Sequence, residues 1–167
     1  MQRCSNYLVF ADVVNTETGE VTRKLQAAEF CRDRLCPMCQ WRKSLVTFHQ
    51  LSAIMNRIDA ERPGLVPLFL TLTVKNCKAS DLDATIKRLL KSWSRMMNKS
   101  GRRPPWRISV GWFRALEVTY NPKTGEWHPH IHSIILVDPS YFEDSTKYID
   151  HDGWVAEWKR ALRVDYD

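Results

Sequence analysis

No apolar run in this 167-residue sequence approaches the roughly 20 residues that a membrane-spanning helix needs, the longest candidate being Val66 to Val74. The opening MQRCSNYLVF lacks the apolar core of a secretion signal, so the expectation is a cytoplasmic protein with no membrane partner. An even set of cysteines is missing too. Five in a reducing compartment argue against a disulfide framework. There is no repeat at the solenoid periods and no low-complexity tract, which argues against a repeat array. What remains is an ordinary globular composition, 44% hydrophobic and 26% charged, with length for one domain and a small appended module.

Acidic residues are absent from one whole stretch. Between Lys87 and Arg107 stand Lys87, Arg88, Lys91, Arg95, Lys99, Arg102, Arg103 and Arg107, interleaved with Trp93 and Trp106 and unopposed by any carboxylate. The segment from Asp138 to Asp152 is the reverse, with Lys147 alone among five acids. The net charge of +6, from 25 Lys+Arg against 19 Asp+Glu, is therefore unevenly spread. A solvated helix face plus a basic loop accounts for such a run, and so does neutralisation of nucleic-acid phosphates. Charge by itself does not choose between them.

The hydrophobic pattern orders the chain. Tyr7 to Val14 and Val21 to Phe30 flank Asn15-Thr-Glu-Thr-Gly19-Glu20 and predict a hairpin. Trp41, Leu45, Phe48, Leu51, Met55 and Ile58 recur at helical spacing over Gln40 to Ala60, which Pro63-Gly64 ends. Val66 to Val74 alternates as a strand. Asp81 to Asn98 predicts a second helix, with Ser80 as its N-cap, and Gly101 to Pro105 a break. Arg107 to Tyr120 and Trp127 to Val137 predict two strands joined by Asn121-Pro-Lys-Thr-Gly125-Glu126, and about Gly153 to Leu162 a last helix. The order predicts an α+β fold, a central antiparallel sheet with flanking helices, preceded by a Cys-rich hairpin module. Its expected division is 1–43 for that module and 44–167 for the main domain.

Cys31, Cys36 and Cys39 lie within nine residues, a density that in a reducing compartment points to metal. A tetrahedral site wants a fourth ligand. If Asn15 pairs with Glu20, partners in the first hairpin sum to 35 and Cys4 falls opposite Cys31, at a separation that lets both reach one ion. The expectation is Zn²⁺ on Cys4, Cys31, Cys36 and Cys39, with a bulge able to alter the register; the alternative is a set of small buried hydrophobes. Cys77 stands apart.

His128-Pro-His130-Ile-His132 puts three imidazoles on one face of a strand. In the second hairpin partners sum to 247, which sets Glu117 opposite His130, Ala115 opposite His132 and Thr119 opposite His128. The other face, with Leu116, Val118, Ile131 and Ile135, suits a helix-covered core. Two imidazoles and a carboxylate hold a divalent first-row ion with positions left for a phosphate oxygen. A rival is the histidine-triad nucleotide hydrolases, in which the middle imidazole is the nucleophile; Pro129 and Ser133 fit that pattern less well, and it leaves the cysteines and the basic tract without a role.

Taken in order, CRDRLCPMCQWRKSL, PLFLTLTVKNC, FRALEVTYN, HPHIHSIILV and WVAEWKRALRVDYD resemble the rolling-circle replication initiators (Rep proteins) of small bacterial plasmids, in the HUH endonuclease superfamily. The resemblance runs along nearly the whole chain and implies an HUH-type nuclease domain over 44–167. It implies a nickase acting on a single-stranded or extruded plasmid origin, with host helicase and polymerase as further partners. His130 and His132 then bind Mg²⁺ or Mn²⁺, Glu117 holds the place of the polar residue that completes the site, and His128 is an auxiliary. The basic residues from Lys87 to Arg107 are the expected contacts to DNA. The family's nucleophilic tyrosine lies on a helix after a further strand, beyond the segment matching Trp154 to Tyr166, and the sequence stops at Asp167. Neither Tyr148 nor Tyr166 matches that tyrosine, so the expectation is a chain cut before its nucleophile. A second expectation, of a different class, is a non-catalytic zinc-stabilised DNA-binding protein.

Overall fold

The computed structural model describes residues 4, 6–33, 36–101 and 104–165. It is α+β and divides into two compact units, Met1–Glu61 and Arg62–Asp167. The expected boundary at 43/44 falls inside a helix of the first unit.

In the first unit β1 (Leu8–Val14) pairs antiparallel with β2 (Val21–Ala28), and α1 spans Pro37–Glu61. The predicted sum of 35 holds from Val14–Val21 to Phe10–Leu25, where Asp12 and Arg23 also form an exposed ion pair at 2.8 Å. Between Phe10 and Val9 a bulge shifts the sum to 36. Pro37 opens α1 in the position where a missing N–H costs nothing. No described residue of this unit is buried.

The second unit holds a three-stranded antiparallel sheet in the order β3 (Val66–Thr73), β5 (Glu126–Val137), β4 (Ser109–Asn121), with the histidine strand in the centre. Its helices are α2 (Leu82–Met96), α3 (Pro104–Ile108), α4 (Ser140–Glu143) and α5 (His151–Leu162). α2 has a marked apolar stripe, Leu89, Trp93 and Met96, and packs it on Ile131, Ile135 and Val137 together with Trp158 and Leu162 of α5. That cluster is the core. The Trp158 indole donates to the Thr73 carbonyl at 2.8 Å, fixing α5 to the end of β3.

Three local expectations are corrected. Ser80 is not the cap of α2: a 3₁₀ turn over Ala79–Asp81 precedes the helix and Asp81 takes the cap position. The stretch after Gly101 does not simply break, because Pro104 starts α3; proline suits a first helical turn as well as a loop. Leu116 is 40% exposed rather than core, since α2 and α5 centre on β5 and β3 and leave the β4 edge partly uncovered.

Candidate metal centres

The second hairpin follows the predicted register throughout the site: Asn121–Glu126, Thr119–His128, Glu117–His130 and Ala115–His132 are partners, and the sole shift in this pairing lies far off, between Ser109 and Gly111. Glu117, His130 and His132 consequently project from the sheet face opposite the core. On the other side of the central strand, Thr71 pairs with His132 and Thr73 with His130.

Three ligand atoms converge there. His130 Nε2 and His132 Nε2 are 3.1 Å apart, and Glu117 Oε2 lies 3.0 Å from His132 Nε2 and 3.3 Å from His130 Nε2. His130 Nδ1 sits 3.1 Å from the His128 carbonyl, which can only accept, so the proton of a neutral His130 is on Nδ1 and its Nε2 carries the lone pair. His132 Nδ1 meets the Thr71 hydroxyl at 3.1 Å. With no cation, a proton on His132 Nε2 bridges Glu117 and His130, and Thr71 donates to Nδ1. A cation would replace that proton, and the same hydroxyl would turn round to accept from Nδ1. Thr71 serves both tautomers, which suits a site that exchanges a proton for a metal. The ring of Phe69 stacks on His132, centroids 5.6 Å apart and planes 17° apart, and fixes its tilt.

The site is open on one side. The side chain of His130 is 10% exposed, that of His132 33% and that of Glu117 52%, so solvent or a ligand reaches the carboxylate edge. His128 is turned away: its Nδ1 pairs with Asn76 Oδ1 at 2.7 Å and it does not join the three converging ligands. Asn76 is placed by the bridge between Cys77 and Trp127, whose N–H···O bonds measure 2.9 and 2.8 Å. Thr71 and Asn76 were not anticipated as site residues; both lie within PLFLTLTVKNC, and only the pairing of β3 with β5 and the Cys77–Trp127 bridge reveal what they face.

In the first unit Cys4, Cys31, Cys36 and Cys39 bring their sulfurs within 4.8 Å of one another, with Cys4–Cys39 at 3.6 Å and Cys31–Cys39 at 3.7 Å. Arg32 takes a left-handed φ of 59°, an uncommon state for arginine, and so turns the chain sharply beside Cys31. Backbone N–H groups face the sulfurs. That of Cys31, aided by the other thiols, lowers the Cys4 thiol to about 7. At Cys31 the N–H of Asp33 acts in the same sense, but desolvation and the neighbouring thiols outweigh it and push that thiol up to about 12. Desolvation and Cys4 raise Cys39 as well. Four thiols crowded in this way cannot all ionise without a cation, and four thiolates are a soft, closed donor set. Cys77 is outside the cluster.

The basic tract lies elsewhere. α2 covers the sheet face opposite the histidines, so Arg88 and Lys91, exposed on its outer side, point away from them. Lys87 is ion-paired to Asp83 at 2.6 Å. Arg95 is built into the fold: its Nε donates to the Ala161 carbonyl and its Nη2 to Ser92, each at 2.8 Å. Lys99 and Arg107 are exposed; Arg102 and Arg103 lie outside the described residues. Tyr141 donates its hydroxyl to the Ile149 carbonyl, and Tyr120 packs at a tilt against Trp127 on the sheet face opposite Glu117. Tyr166 is outside the described residues. Among the described residues, no helix is long and apolar enough to cross a membrane.

Comparison with known proteins gives a consistent answer. A family model described as replication protein matches residues 22–167. A "Protein rep" of Streptococcus pneumoniae serotype 2 (strain D39 / NCTC 7466) is 36% identical over 167 residues, covering 99% of this chain and 50% of its own length. One from Lentilactobacillus hilgardii is 33% identical over 159 residues, covering 90% and 49%, and one from Staphylococcus aureus 33% over 164 residues, covering 98% and 68%. The chain spans about half the length of the first two. No solved structure matches significantly.

Proposed function

This chain belongs to the replication protein family, and from that membership we propose that it is the metal-holding, DNA-engaging part of a rolling-circle plasmid initiator of HUH type. The observation that carries the reading is the triangle of His130 Nε2, His132 Nε2 and Glu117 Oε2, with sides of 3.0, 3.1 and 3.3 Å. Two imidazoles and a carboxylate so placed would hold a divalent first-row ion, Mg²⁺ or Mn²⁺ by the resemblance, with the exposed side left for a phosphate oxygen. When bound, such an ion supplies Lewis-acid polarisation of a phosphodiester.

The protein's own part is preorganisation. The His128 carbonyl and Thr71 orient the two rings, Phe69 holds one of them flat, and the exposed Glu117 edge admits the strand. The resemblance assigns bond cleavage to a tyrosine, and in the second unit Tyr141 is engaged by the Ile149 carbonyl and Tyr120 by Trp127. The residues here therefore hold and polarise the phosphate.

The cysteine cluster is proposed as a structural zinc site. A tetrahedron with metal–sulfur bonds of about 2.3 Å has edges of about 3.8 Å, and the sulfur pairs at 3.6 and 3.7 Å fit that figure. Calorimetric titration with Mn²⁺ tests the main reading. The wild-type chain should bind one ion at the histidine site and hold a labelled single-stranded origin oligonucleotide more tightly with it. His130→Ala and His132→Ala should each abolish that ion while leaving the circular-dichroism spectrum intact. Unchanged Mn²⁺ affinity in both variants would refute the site.

A further inference from the structure

The sheet order makes β4 an outer strand, pairing among the described residues with β5 alone. Its 13 residues contain no proline, and the one irregularity in its ladder lies at the near end, between Ser109 and Gly111. From Gly111 to Asn121 the edge is regular and open, a state that natural sheets avoid by covering, bending or charging the strand. The direction of its backbone groups follows from a neighbour. Trp127, the partner of Tyr120, gives both its N–H and its carbonyl to Cys77 on the β3 side, so those of Tyr120 point outward. By alternation so do those of Val118, Leu116, Arg114 and Trp112. Because α2 and α5 centre on β5 and β3, the same strand also shows apolar side chains on the face those helices cover. Trp112, Leu116 and Tyr120 are 43, 40 and 50% exposed.

We infer that a second copy of this chain adds its own β4 to this edge, antiparallel and about a two-fold axis through Leu116, joining two three-stranded sheets into one of six. The edge is self-complementary about that point. Opposed residues then sum to 232: Leu116 of one copy meets Leu116 of the other, Trp112 meets Tyr120 at both ends, and Arg114 meets Val118. The three exposed apolar side chains thereby cover one another in cross-strand pairs, with an aromatic pair on each side of the leucines. Other registers are worse. Centring on Arg114 or Glu117 sets like charges opposite each other. Centring on Ala115 runs into the irregularity at Ser109–Gly111 and lays Arg114 on Leu116. Centring on Leu116 uses the whole regular stretch, and the outward residues of the two copies exchange about ten backbone hydrogen bonds, as many as a typical protein interface holds. The axis stands perpendicular to the sheet, so both Glu117–His130–His132 clusters lie on one face, with the two His130 about 16 Å apart by strand spacing. The inference goes beyond the proposed function and does not depend on a bound metal.

Sedimentation velocity of the full chain between about 5 and 200 μM tests the assignment, and the wild-type chain should pass from monomer to dimer over that range. Leu116→Lys and Leu116→Glu should each weaken the dimer at least about tenfold, because residue 116 opposes itself. Mixing the two variants in equal amounts should restore it as a heterodimer. Phe142→Lys, at an exposed apolar position on α4, should change the dimer constant less than twofold. Amide exchange followed by NMR on the wild-type chain reads the edge without any substitution. The amides of Trp112, Leu116 and Tyr120 should exchange at least about fivefold more slowly in concentrated than in dilute protein, whereas those of Ala115 and Glu117, directed at β5, should not change. A chain that stays monomeric throughout, or a dimer that survives both Leu116 variants, overturns the inference and leaves the proposed function standing. A dimer strengthened by Leu116→Glu alone would set residue 116 against Arg114 and overturn the axis through Leu116. If the wild-type chain dimerises through this edge and binds no Mn²⁺, the proposed function fails and the inference stands.

Discussion

Asn15 and Asn121 open two turns built in the same way. Each Asn carbonyl accepts from the glycine four residues on at 2.8 Å, each Asn side chain accepts from the amide two residues on, and Gly19 and Gly125 share a φ of +71°. Each turn sets the register of a hairpin in a unit that holds a cluster of metal-ligating side chains. Beyond that the two regions part. The β4–β5 hairpin lies on a core containing Ile131, Ile135 and Val137, each fully buried. The β1–β2 hairpin exposes Phe10, Val13, Val21 and Leu25, and no described residue of its unit is buried. One hairpin positions its ligands through a buried ladder. The other has no such support, and its sulfurs come together outside the strands, that of Cys39 from the first turn of α1. On the proposed reading, the histidine centre is displayed by a unit with a buried core of its own, whereas the cysteine centre takes the place of a core in its unit.

The largest expected effect divides the two. Structural zinc contributes about 10–16 kcal/mol of apparent binding energy in small units that fold around it. Stripping metal with a strong chelator should therefore release the amides of β1 and β2 to hydrogen exchange within seconds. Those of β5 should remain protected for as long as in the untreated chain. Mass spectrometry of the exchanged peptides reads both regions in one experiment. Equal protection of β1–β2 with and without chelator would mean that unit stands unaided.

Packing gives the complementary contrast. Ile131→Ala removes a fully buried side chain from the sheet and should cost about 2–5 kcal/mol, seen in urea unfolding of the second unit. Leu25→Ala, at an exposed position of β2, should cost under about 0.5 kcal/mol. A cost for Leu25 like that for Ile131 would show that the first hairpin owes its stability to packing.

The same contrast explains what the sequence made legible. Counting partners outward from a turn works while the ladder is unbroken, and it placed Glu117 opposite His130 correctly. The identical count for Cys4 passes a bulge at Val9, which nothing in Leu8-Val9-Phe10 announces. Cys4 nevertheless joins Cys31, because sulfur geometry rather than strand register settles the place of a loop ligand. Periodicity found the α+β elements and the core stripe of α2. It could not say which sheet face that stripe would cover, so the basic tract was legible as charge and illegible as position. Arg95 shows the same limit: in sequence it is one more cation, and in the fold it caps the carbonyl of Ala161. Thr71 and Asn76 were hidden because their partners are 61 and 52 residues away.

A subtler difference concerns support for the ligands. His132 Nδ1 meets the Thr71 hydroxyl, which helps to orient the ring in either tautomer. Thr71→Val keeps the shape of the side chain and removes the hydroxyl, so Mn²⁺ affinity should fall about 10–100-fold, as when other such supporting groups are lost. Thr71→Ser should recover most of it. The cysteine centre should be indifferent to both changes, which an equal zinc content in wild type and variants would demonstrate. If Thr71→Val binds Mn²⁺ like wild type, the ring is held by Phe69 alone.

The smallest effect returns to the shared turn. A Cβ built on Gly19 or Gly125 meets nothing within 4 Å, so alanine at either place costs only the left-handed conformation, about 1 kcal/mol. The two local costs are therefore equal, and what differs is where they are felt. Gly125 belongs to the hairpin that carries the core, so Gly125→Ala should lower the cooperative unfolding of the second unit by that whole amount. Gly19 closes an exposed hairpin whose far end is tied by the cysteine cluster. There, Gly19→Ala should speed exchange of the β1–β2 amides about fivefold, the equivalent of about 1 kcal/mol, and leave the main melting transition where it is. An equal drop in that transition for both variants would make the two hairpins parts of one cooperative structure. The cysteine centre would then stabilise the whole chain rather than its own unit.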